Sequence, residues 1–434
     1  FFKEMWIAPA MSLVLGLAVI QNFAQTMAGT PWPMTATVYD NLYATAPILF
    51  LWLMSPVVAW WISTPLRPAE PGLTNEQQAF LHGLARRTWR FFADFVSPLE
   101  NCLPPDNYQE HPDPTIASRT SPTNMGMALL ANQAAYDFAY ICVAEFLQRT
   151  ESTLASMEKL ERYRGHFYNW YDTRSLQPLR PHYVSSVDSG NLVGCLLTLQ
   201  AGLEELKYQP VLSPLVFQGL RDTLQQLVEH LPLSLNPNIA QQIKLLQELL
   251  NSQTLPENAI NTQPHTRKLT WAVAYNVFDE IQQRTGVLVA CLPANSSDYG
   301  ELYYWVYAFD QQARAVRDEL RLLLPVQQNL NHIDNSAGAN IIPTLAQLAK
   351  DGFTANGVDS ELLVPCQIQA TKRLRVIDDL IARCQEAAAM DFEFLYDSGQ
   401  GLLSVGYDVG ERRRDPSYYD LLASEARLAS FLLI

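Results

Sequence analysis

Basic residues are scarce in this chain. Lys and Arg together number 30 against 44 Asp and Glu, which gives a formal net charge of -14 at pH 7. Binding to nucleic acids depends on clustered basic side chains that neutralise phosphates and release counterions, so the composition predicts no nucleic-acid partner. A short basic cluster, Arg412 to Arg414, lies between Glu411 and Asp415, which favours a locally balanced loop over an anion-binding site.

The chain also lacks the closely spaced ligands of common metal and redox sites. Its six cysteines are widely separated and form no Cys-x-x-Cys pair: Cys102, Cys142, Cys195, Cys291, Cys366 and Cys384. The seven histidines show no His-Glu-x-x-His spacing, and no glycine-rich phosphate loop is present. We therefore predict no metal and no cofactor. Unpaired cysteines fit reduced thiols in the cytoplasm best.

Alternating strand patterns are nearly absent, whereas helical periodicity is common, so the predicted fold class is all-α. Apolar residues make up 48% and aromatic residues 11% of the chain, which is ample for a folded core. The spacing of apolar residues predicts helices over residues 125–149, 152–163, 214–230, 238–251, 268–284, 299–324, 371–389 and 418–433.

Two uncharged apolar runs lie near the start of the chain. Met5–Ile20 and Ala44–Ile62 are each near the ~20 residues that an α-helix needs to cross a bilayer. The second run ends in Trp60 and Trp61, a composition typical of membrane interfaces. Residues 1–64 therefore predict a transmembrane hairpin; the alternative is a buried hairpin of a soluble protein.

The charges that flank the two runs predict their orientation. Lys3 precedes the first run and Arg67 follows the second, whereas residues 21–43 contain no Lys or Arg. Because basic residues stay on the cytoplasmic side, both ends of the hairpin are expected there. A proline-containing linker over residues 65–73 then leads to a soluble domain over residues 74–434.

The C-terminal helix contains the first catalytic candidate. Glu425 and Arg427 interrupt a largely apolar helical pattern. Burying an unpaired carboxylate costs on the order of several kcal/mol, so a glutamate is kept there if it is paired or faces a polar cavity. We predict that Glu425 is catalytic. The alternative is a structural ion pair between Glu425 and an arginine.

Several stretches of the chain contain the side chains expected at a sugar site. Aromatic faces stack on the apolar faces of pyranose rings, while amide, guanidinium and carboxylate groups bind pairs of hydroxyls. The predicted substrate-binding residues are Arg119, Asn124, Trp170, Tyr171, Asp172, Asp188, Asn191, Tyr407, Asp408, Tyr419, Asp420 and Arg427, with Asp106 and Asn107 as weaker candidates. The alternatives are a buried aromatic corner for residues 165–172, turn formation for Asp106 and Asn107, and a helix cap for Asp188.

Several of these motifs resemble the central region of bacterial cyclic β-1,2-glucan synthases, and the likeness covers nearly the whole chain. The matching stretches are Arg-Thr-Trp-Arg-Phe-Phe at 87–92, Leu-Pro-Pro-Asp-Asn at 103–107, Arg-Thr-Ser-Pro-Thr-Asn-Met-Gly at 119–126, Val-Asp-Ser-Gly-Asn at 187–191, Asp-Phe-Glu-Phe-Leu-Tyr-Asp at 391–397 and Ser-Glu-Ala-Arg at 424–427. The resemblance implies an (α/α)6-barrel glucoamylase-like domain, with residues 201–390 inserted in or flanking the barrel. It also implies that Asp188 lies at the sugar site.

The resemblance further implies an activity. The whole protein would be a multi-pass protein of the inner membrane with this domain in the cytoplasm, flanked by glycosyltransferase and phosphorylase-like domains. It would cyclise linear β-1,2-glucan by retaining transglycosylation, with Glu425 as general acid/base. The second carboxylate would lie beyond residue 434, so the segment alone is expected to be inactive and its barrel incomplete. The alternatives are a non-catalytic membrane-anchored glucan-binding scaffold and a β-1,2-glucan hydrolase of the same fold.

Overall fold

The chain divides into two units in a computed structural model: residues 1–74 and residues 75–434. The structure describes residues 7–29, 36–63, 72–232, 236–253, 271–292, 300–324, 342–354, 360–419 and 424–433. The predicted linker, residues 65–73, lies outside these ranges except for its last two residues.

The first unit is a pair of helices, α1 (Ile7–Gly29) and α2 (Ala36–Ser63), which pack against each other. Of the described helices, one is long and apolar enough to cross a membrane, over Thr45–Ser63 within α2. In α1 the comparable apolar stretch, Pro9–Gln21, is shorter. The described residues therefore support the second of the two predicted spans, whereas the first, which begins outside the described residues, stays a prediction.

The second unit is mostly helical. Its helices are α3 (Asn75–Phe95), α4 (Pro122–Asp137), α5 (Val143–Met157), α6 (Ser186–Leu206), α7 (Val216–Glu229), α8 (Pro237–Asn251), α9 (Trp271–Ala290), α10 (Gly300–Leu323), α11 (Leu345–Leu348), α12 (Ser360–Ala388) and α13 (Ser424–Leu433). The helices predicted over 214–230, 238–251 and 299–324 are confirmed to within a few residues. The helix predicted over 371–389 is longer than expected, because α12 begins at Ser360 and continues through Pro365.

The helix predicted over 125–149 is wrong. The chain leaves the helical path after Asp137, and Ala139 takes a φ of 56°, in the left-handed region that breaks a right-handed helix. A second helix, α5, begins at Val143 and ends at Met157. The prediction of a helix up to residue 163 is also wrong, because residues 162–163 form a short strand.

Short antiparallel strands occupy the loops between helices, so the fold is mostly helical rather than purely so. They are β1 (Tyr108–Gln109), β2 (Thr115–Ile116), β3 (Arg119–Thr120), β4 (Arg162–Tyr163), β5 (His166–Phe167), β6 (Tyr171–Asp172), β7 (Tyr183–Ser185), β8 (Tyr396–Asp397), β9 (Leu402–Leu403), β10 (Gly406–Asp408) and β11 (Arg413–Arg414). Strands β1 and β2 pair, as do β3 and β6, β4 and β5, and β8 and β9, while β10 lies between β7 and β11. Two of these pairings, β3 with β6 and β7 with β10, connect loops that are far apart in sequence.

Helix α6 is central to the second unit, because α4, α12 and α13 all pack against it. Small residues let two of these neighbours approach closely. A Cβ on Gly126 of α4 would lie 2.9 Å from Cys195 Sγ, and a Cβ on Gly190 would lie 2.4 Å from Ala429 Cβ of α13. Leucines on α6 are fully buried and each contributes roughly 1.5–3 kcal/mol of hydrophobic stabilisation: Leu192, Leu196, Leu199 and Leu203.

Candidate functional site

Two helices begin side by side at the candidate site, each after a serine cap. Ser121 Oγ accepts from the Asn124 backbone N–H at 3.2 Å, and Ser185 Oγ accepts from the Asp188 N–H at the same distance. These bonds satisfy N–H groups that a helix start leaves unpaired. Ser185, not Asp188, caps α6, so the alternative that Asp188 serves as the cap is wrong. The Asp188 carboxylate is left for other partners.

Asp188 ties the two helix starts together. The Thr123 hydroxyl, in the first turn of α4, donates to Asp188 Oδ1 at 2.6 Å. Asn191 Nδ2 in turn donates to Thr123 Oγ1 at 3.2 Å. Asn169 reaches the other oxygen: in the amide orientation that satisfies both neighbours, its Nδ2 donates to Asp188 Oδ2 at 3.1 Å. Both predicted residues, Asp188 and Asn191, therefore lie in one hydrogen-bonded set.

Trp170 and Arg119 extend this set. The Trp170 indole Nε1 donates to the Asn169 side-chain oxygen at 3.3 Å, and the Arg119 guanidinium lies over the indole ring, 4.5 Å from its centroid. Arg119 also pairs with Asp106, through Nη2 and Oδ2 at 2.9 Å. Asp106 Oδ1 accepts from Asn124 Nδ2 at 3.4 Å. The structure thus brings together five of the predicted sugar-binding residues: Arg119, Asn124, Trp170, Asp188 and Asn191.

A buried glutamate supports the strands that present these residues. Strand β3 pairs with β6, placing Arg119 opposite Asp172. Next to this pair, Glu100 is 2% exposed and accepts from the hydroxyls of Ser118 and Thr173 and from Arg174 Nε at 3.1 Å. Sequence analysis missed Glu100. Its isolated position in the loop after α3 gives no periodic signal of burial.

His166 is a second residue that sequence analysis missed. It is fully buried, its Nδ1 lies 2.8 Å from Ser189 Oγ, and its Nε2 lies 2.7 Å from the Asp391 carbonyl oxygen. Burial lowers the pKa of His166, so the neutral imidazole is favoured: Nε2–H donates to the carbonyl and Nδ1 accepts from the serine. The ring links the first turn of α6 to the loop that follows α12.

The aromatic loop 165–172 is largely a buried corner, which corrects part of the prediction. Tyr171 is fully buried, and its hydroxyl donates to the Glu161 carbonyl oxygen at 2.5 Å, so it has no surface for a sugar. Phe167 and Tyr168 are also buried. Trp170 differs because it is half-buried. Of the aromatic side chains in this loop, Trp170 fits the predicted role.

Two predicted carboxylates are used in turns. Asp172 Oδ1 accepts from the backbone N–H groups of Arg174 and Ser175 and from the Ser175 hydroxyl, and the bond from the Ser175 N–H is the main cause that lowers the pKa of Asp172. Asp408 Oδ1 accepts from the Glu411 N–H at 2.9 Å. Such side-chain to backbone bonds are typical of Asp in turns. Sugar binding by these two residues stays a prediction, with one oxygen of each already occupied.

Tyr407 and Tyr419 lie near strand β7. The Tyr407 ring stacks on Tyr163 with centroids 5.7 Å apart and meets Phe394 edge-on. Tyr419 follows Tyr418, which forms a β-bridge with Ser404 just before β10, the neighbour of β7. Both predicted tyrosines are half-buried, and their contact with a sugar stays a prediction.

Helix α13 packs against α6, with Ala429 at Gly190 and the Leu428 side chain at Gly194. Val405 bridges the start of α6 and Ser417: its N–H donates to the Ser417 carbonyl at 2.9 Å, and its carbonyl accepts from the Ser186 N–H at 3.1 Å. Glu425 is the second residue of α13 and lies one turn, about 6 Å, before Ala429, which contacts Gly190. The Glu425 side chain and all of Asp420 lie outside the described residues. Arg427 is exposed.

A cavity of about 550 Å³ opens elsewhere in the second unit, between α5, α10 and α12. Its lining includes Glu145, Arg149, Glu319 and Arg373, and none of the predicted sugar-binding residues. Burial raises the pKa of Glu145. The candidate site is therefore a surface at the helix starts and is separate from this cavity.

Comparison with known proteins supports the predicted resemblance. No protein-family model matches the chain. The cyclic β-(1,2)-glucan synthase NdvB of Rhizobium meliloti is 32% identical over 440 residues, an alignment that covers 100% of this chain and 13% of that protein. The resemblance to cyclic β-1,2-glucan synthases is therefore confirmed over the whole chain, which spans 13% of the length of this relative.

Among solved structures, a candidate glucoamylase from Bacteroides fragilis is similar at 14% identity with a TM-score of 0.27. The match covers 74% of this chain and 98% of that structure. A TM-score this low does not establish a shared fold.

Proposed function

We propose that the full-length protein closes linear β-1,2-glucan into a ring by retaining transglycosylation, and that residues 75–434 supply part of the glucan site. One observation supports this most strongly. In a chain 32% identical to a cyclic β-(1,2)-glucan synthase, Asp188, Thr123 and Trp170 meet in one hydrogen-bonded set at two helix starts.

The chemistry of this set suits a sugar. Trp170 offers an aromatic face for a pyranose ring, and Arg119, Asn124 and Asp188 offer donors and acceptors for its hydroxyls. Arg119 is about half exposed, at 51% of its side chain, so it can exchange its bond to Asp106 for one to a ligand at low cost. Asn191 holds Thr123, and through it the carboxylate of Asp188.

Glu425 is the proposed general acid/base. It would protonate the glycosidic oxygen as a nucleophilic carboxylate, proposed to lie beyond residue 434, forms a glycosyl-enzyme. It would then take the proton from the glucan hydroxyl that attacks this intermediate, and a second β-1,2 bond would form. Retaining enzymes place the two carboxyl groups about 5 Å apart. The packing of α13 against α6, the helix that carries Asp188, is consistent with this role.

The architecture around the site is also part of the proposal. The packing of α4, α12 and α13 against α6 is compatible with an (α/α)6 barrel. The apolar stretch Thr45–Ser63 supports a membrane anchor, with a second span over residues 5–20 and the soluble unit on the cytoplasmic face of the inner membrane. Flanking glycosyltransferase and phosphorylase-like domains would supply and process the glucan.

Substitution of Glu425 by Gln in the full-length protein tests this function. The amide keeps the size of the side chain but cannot donate or take the catalytic proton, so cyclic product should fall by at least about 10²-fold while linear glucan still forms. Products would be separated by mass after incubation with glucosyl donor. Glu411→Gln, at an exposed position in the turn before β11, is the matched control and should retain ring formation.

Three other outcomes would contradict the proposal in different ways. Unchanged cyclisation by Glu425→Gln would exclude Glu425 from the mechanism. Free glucan ends in place of rings from the unaltered protein would indicate a hydrolase, in which water replaces the attacking hydroxyl. Binding of linear β-1,2-glucan without any turnover would indicate a scaffold.

A further inference from the structure

We infer that Asn169 is a positioning residue that couples the Trp170 indole to the Asp188 carboxylate, so that a sugar stacked on Trp170 and a hydroxyl bound by Asp188 are held in one fixed relation. This inference rests on the proposed glucan-binding function. Asn169 was not among the residues predicted from sequence.

The Asn169 amide lies between the two groups and uses both of its ends. Its oxygen accepts from Trp170 Nε1 at 3.3 Å, and its nitrogen donates to Asp188 Oδ2 at 3.1 Å. An asparagine side chain is one of the few that offers an acceptor and a donor on one short planar group. An aspartate there would place two carboxylates together, and a leucine would leave both neighbours without this partner.

The backbone holds the amide in place. The Asn169 N–H donates to the Tyr183 carbonyl at 2.7 Å, and the Trp170 carbonyl accepts from the Leu179 N–H at 2.8 Å. Tyr183 begins β7, the strand that leads directly into α6 and Asp188. The segment that presents Asn169 and Trp170 is thus fixed to the segment that presents Asp188.

The outer ends of the set are fixed as well. The Thr123 hydroxyl donates to Asp188 Oδ1 at 2.6 Å. Among the hydrogen bonds of the described residues, the partner of Asp188 Oδ2 is Asn169. Arg119 covers the Trp170 ring at 4.5 Å and is itself bound to Asp106. Because the guanidinium covers one face of the ring, a sugar would stack on the other face. The indole therefore serves as a one-sided platform whose N–H edge is directed to Asn169.

A double-mutant cycle in the full-length protein tests the coupling. Trp170→Phe keeps an aromatic face but removes the indole N–H, and Asn169→Leu keeps the approximate shape but removes both hydrogen bonds. Each single variant should weaken the binding of linear β-1,2-glucan, measured by calorimetry, by about tenfold. The double variant should also be weaker by about tenfold rather than about a hundredfold, because the second change removes nothing further.

Asn101→Gly is the matched control. The Asn101 side chain donates to the carbonyls of Thr173 and Arg174 behind the β3–β6 pair, and glycine tolerates its φ of 51°. If general loosening of the loops weakened glucan binding, this variant would match Asn169→Leu. We expect it to bind within about twofold of the unaltered protein while lowering the thermal midpoint.

The outcomes separate the two proposals. Suppose that the unaltered protein binds glucan. Additive losses in the cycle, or no loss in Asn169→Leu, would then overturn the coupling and leave the proposed function intact. A loss in Asn101→Gly equal to that in Asn169→Leu would also overturn it. No glucan binding by the unaltered protein would overturn the proposed function and this inference together.

Discussion

The carboxylates of the second unit occupy two contrasting environments. Between α10 and α12, Glu319 and Arg373 form a bidentate pair whose side chains are only 6% and 10% exposed. At the starts of α4 and α6, Asp106 and Asp188 are half-buried and bound to Arg119 and Thr123. Both sets of carboxylates are hydrogen-bonded to protein side chains. Glu319 and Arg373 also line the cavity between α5, α10 and α12, but they are far more buried than Asp106 and Asp188.

With the proposed function, this difference predicts which carboxylates are structural and which bind glucan. A buried charge depends on its partner, because no water replaces a bond that is lost. A half-buried carboxylate can exchange a protein donor for a sugar hydroxyl at little cost. The comparison predicts that substitutions in the first set alter stability and that substitutions in the second set alter glucan binding.

Arg373→Met is expected to have the largest effect on stability. It leaves the Glu319 carboxylate buried without its guanidinium, which should lower the free energy of unfolding by about 3–5 kcal/mol. Urea denaturation followed by circular dichroism would measure the change. In the double variant Glu319→Leu with Arg373→Met the unpaired charge is gone, so most of the loss should be recovered. A single-variant cost below about 1 kcal/mol would show that the pair is not isolated from water.

Glu100→Gln should have the next largest effect. Glu100 accepts from Ser118, Thr173 and Arg174 beside the β3–β6 pair, and an amide offers one oxygen acceptor in place of two. We expect the free energy of unfolding to fall by about 1–3 kcal/mol. Glu411→Gln, at an exposed position, should change it by less than about 0.5 kcal/mol. Equal effects of the two substitutions would remove the distinction between buried and exposed carboxylates.

The stability of the unit should also depend on pH through His166. Its pKa is lowered by burial, so below about pH 6.5 the unfolded chain binds a proton that the folded chain does not. Stability contributed by the neutral ring is complete above that pH and falls as the pH is lowered, by at most about 1.4 kcal/mol per pH unit. Unfolding midpoints at pH 7.5 and 5.5 would measure the fall, and His166→Gln should reduce it. An unchanged pH dependence in that variant would assign the fall to other groups.

The helices and several site residues were predictable from the sequence because their signals are local. Apolar periodicity predicts α7, α8 and α10. Trp170 and Asp188 were predicted from their residue types, and the structure brings them into one hydrogen-bonded set, while sugar binding stays a prediction. The break after Asp137 was not, because it depends on the left-handed conformation of Ala139 rather than on a proline or glycine. The burial of Tyr171 was misjudged and that of Glu100 was missed. Both depend on strands β3 and β6, which pair across some fifty residues, and no local pattern reveals such a pairing.

Asp188→Asn should have the smallest effect on stability and tests the other half of the comparison. The amide oxygen can still accept from Thr123, but the new amide nitrogen would face the Asn169 donor, so the free energy of unfolding should fall by about 1 kcal/mol. Glucan affinity should fall by about tenfold or more, because a charged acceptor for sugar hydroxyls becomes a neutral one. Calorimetric titration with linear β-1,2-glucan beside a urea curve would measure both quantities on one sample. A large loss of stability with unchanged affinity would place Asp188 with Glu319 among the structural carboxylates, because its bonds would then serve the joint between α4 and α6 alone.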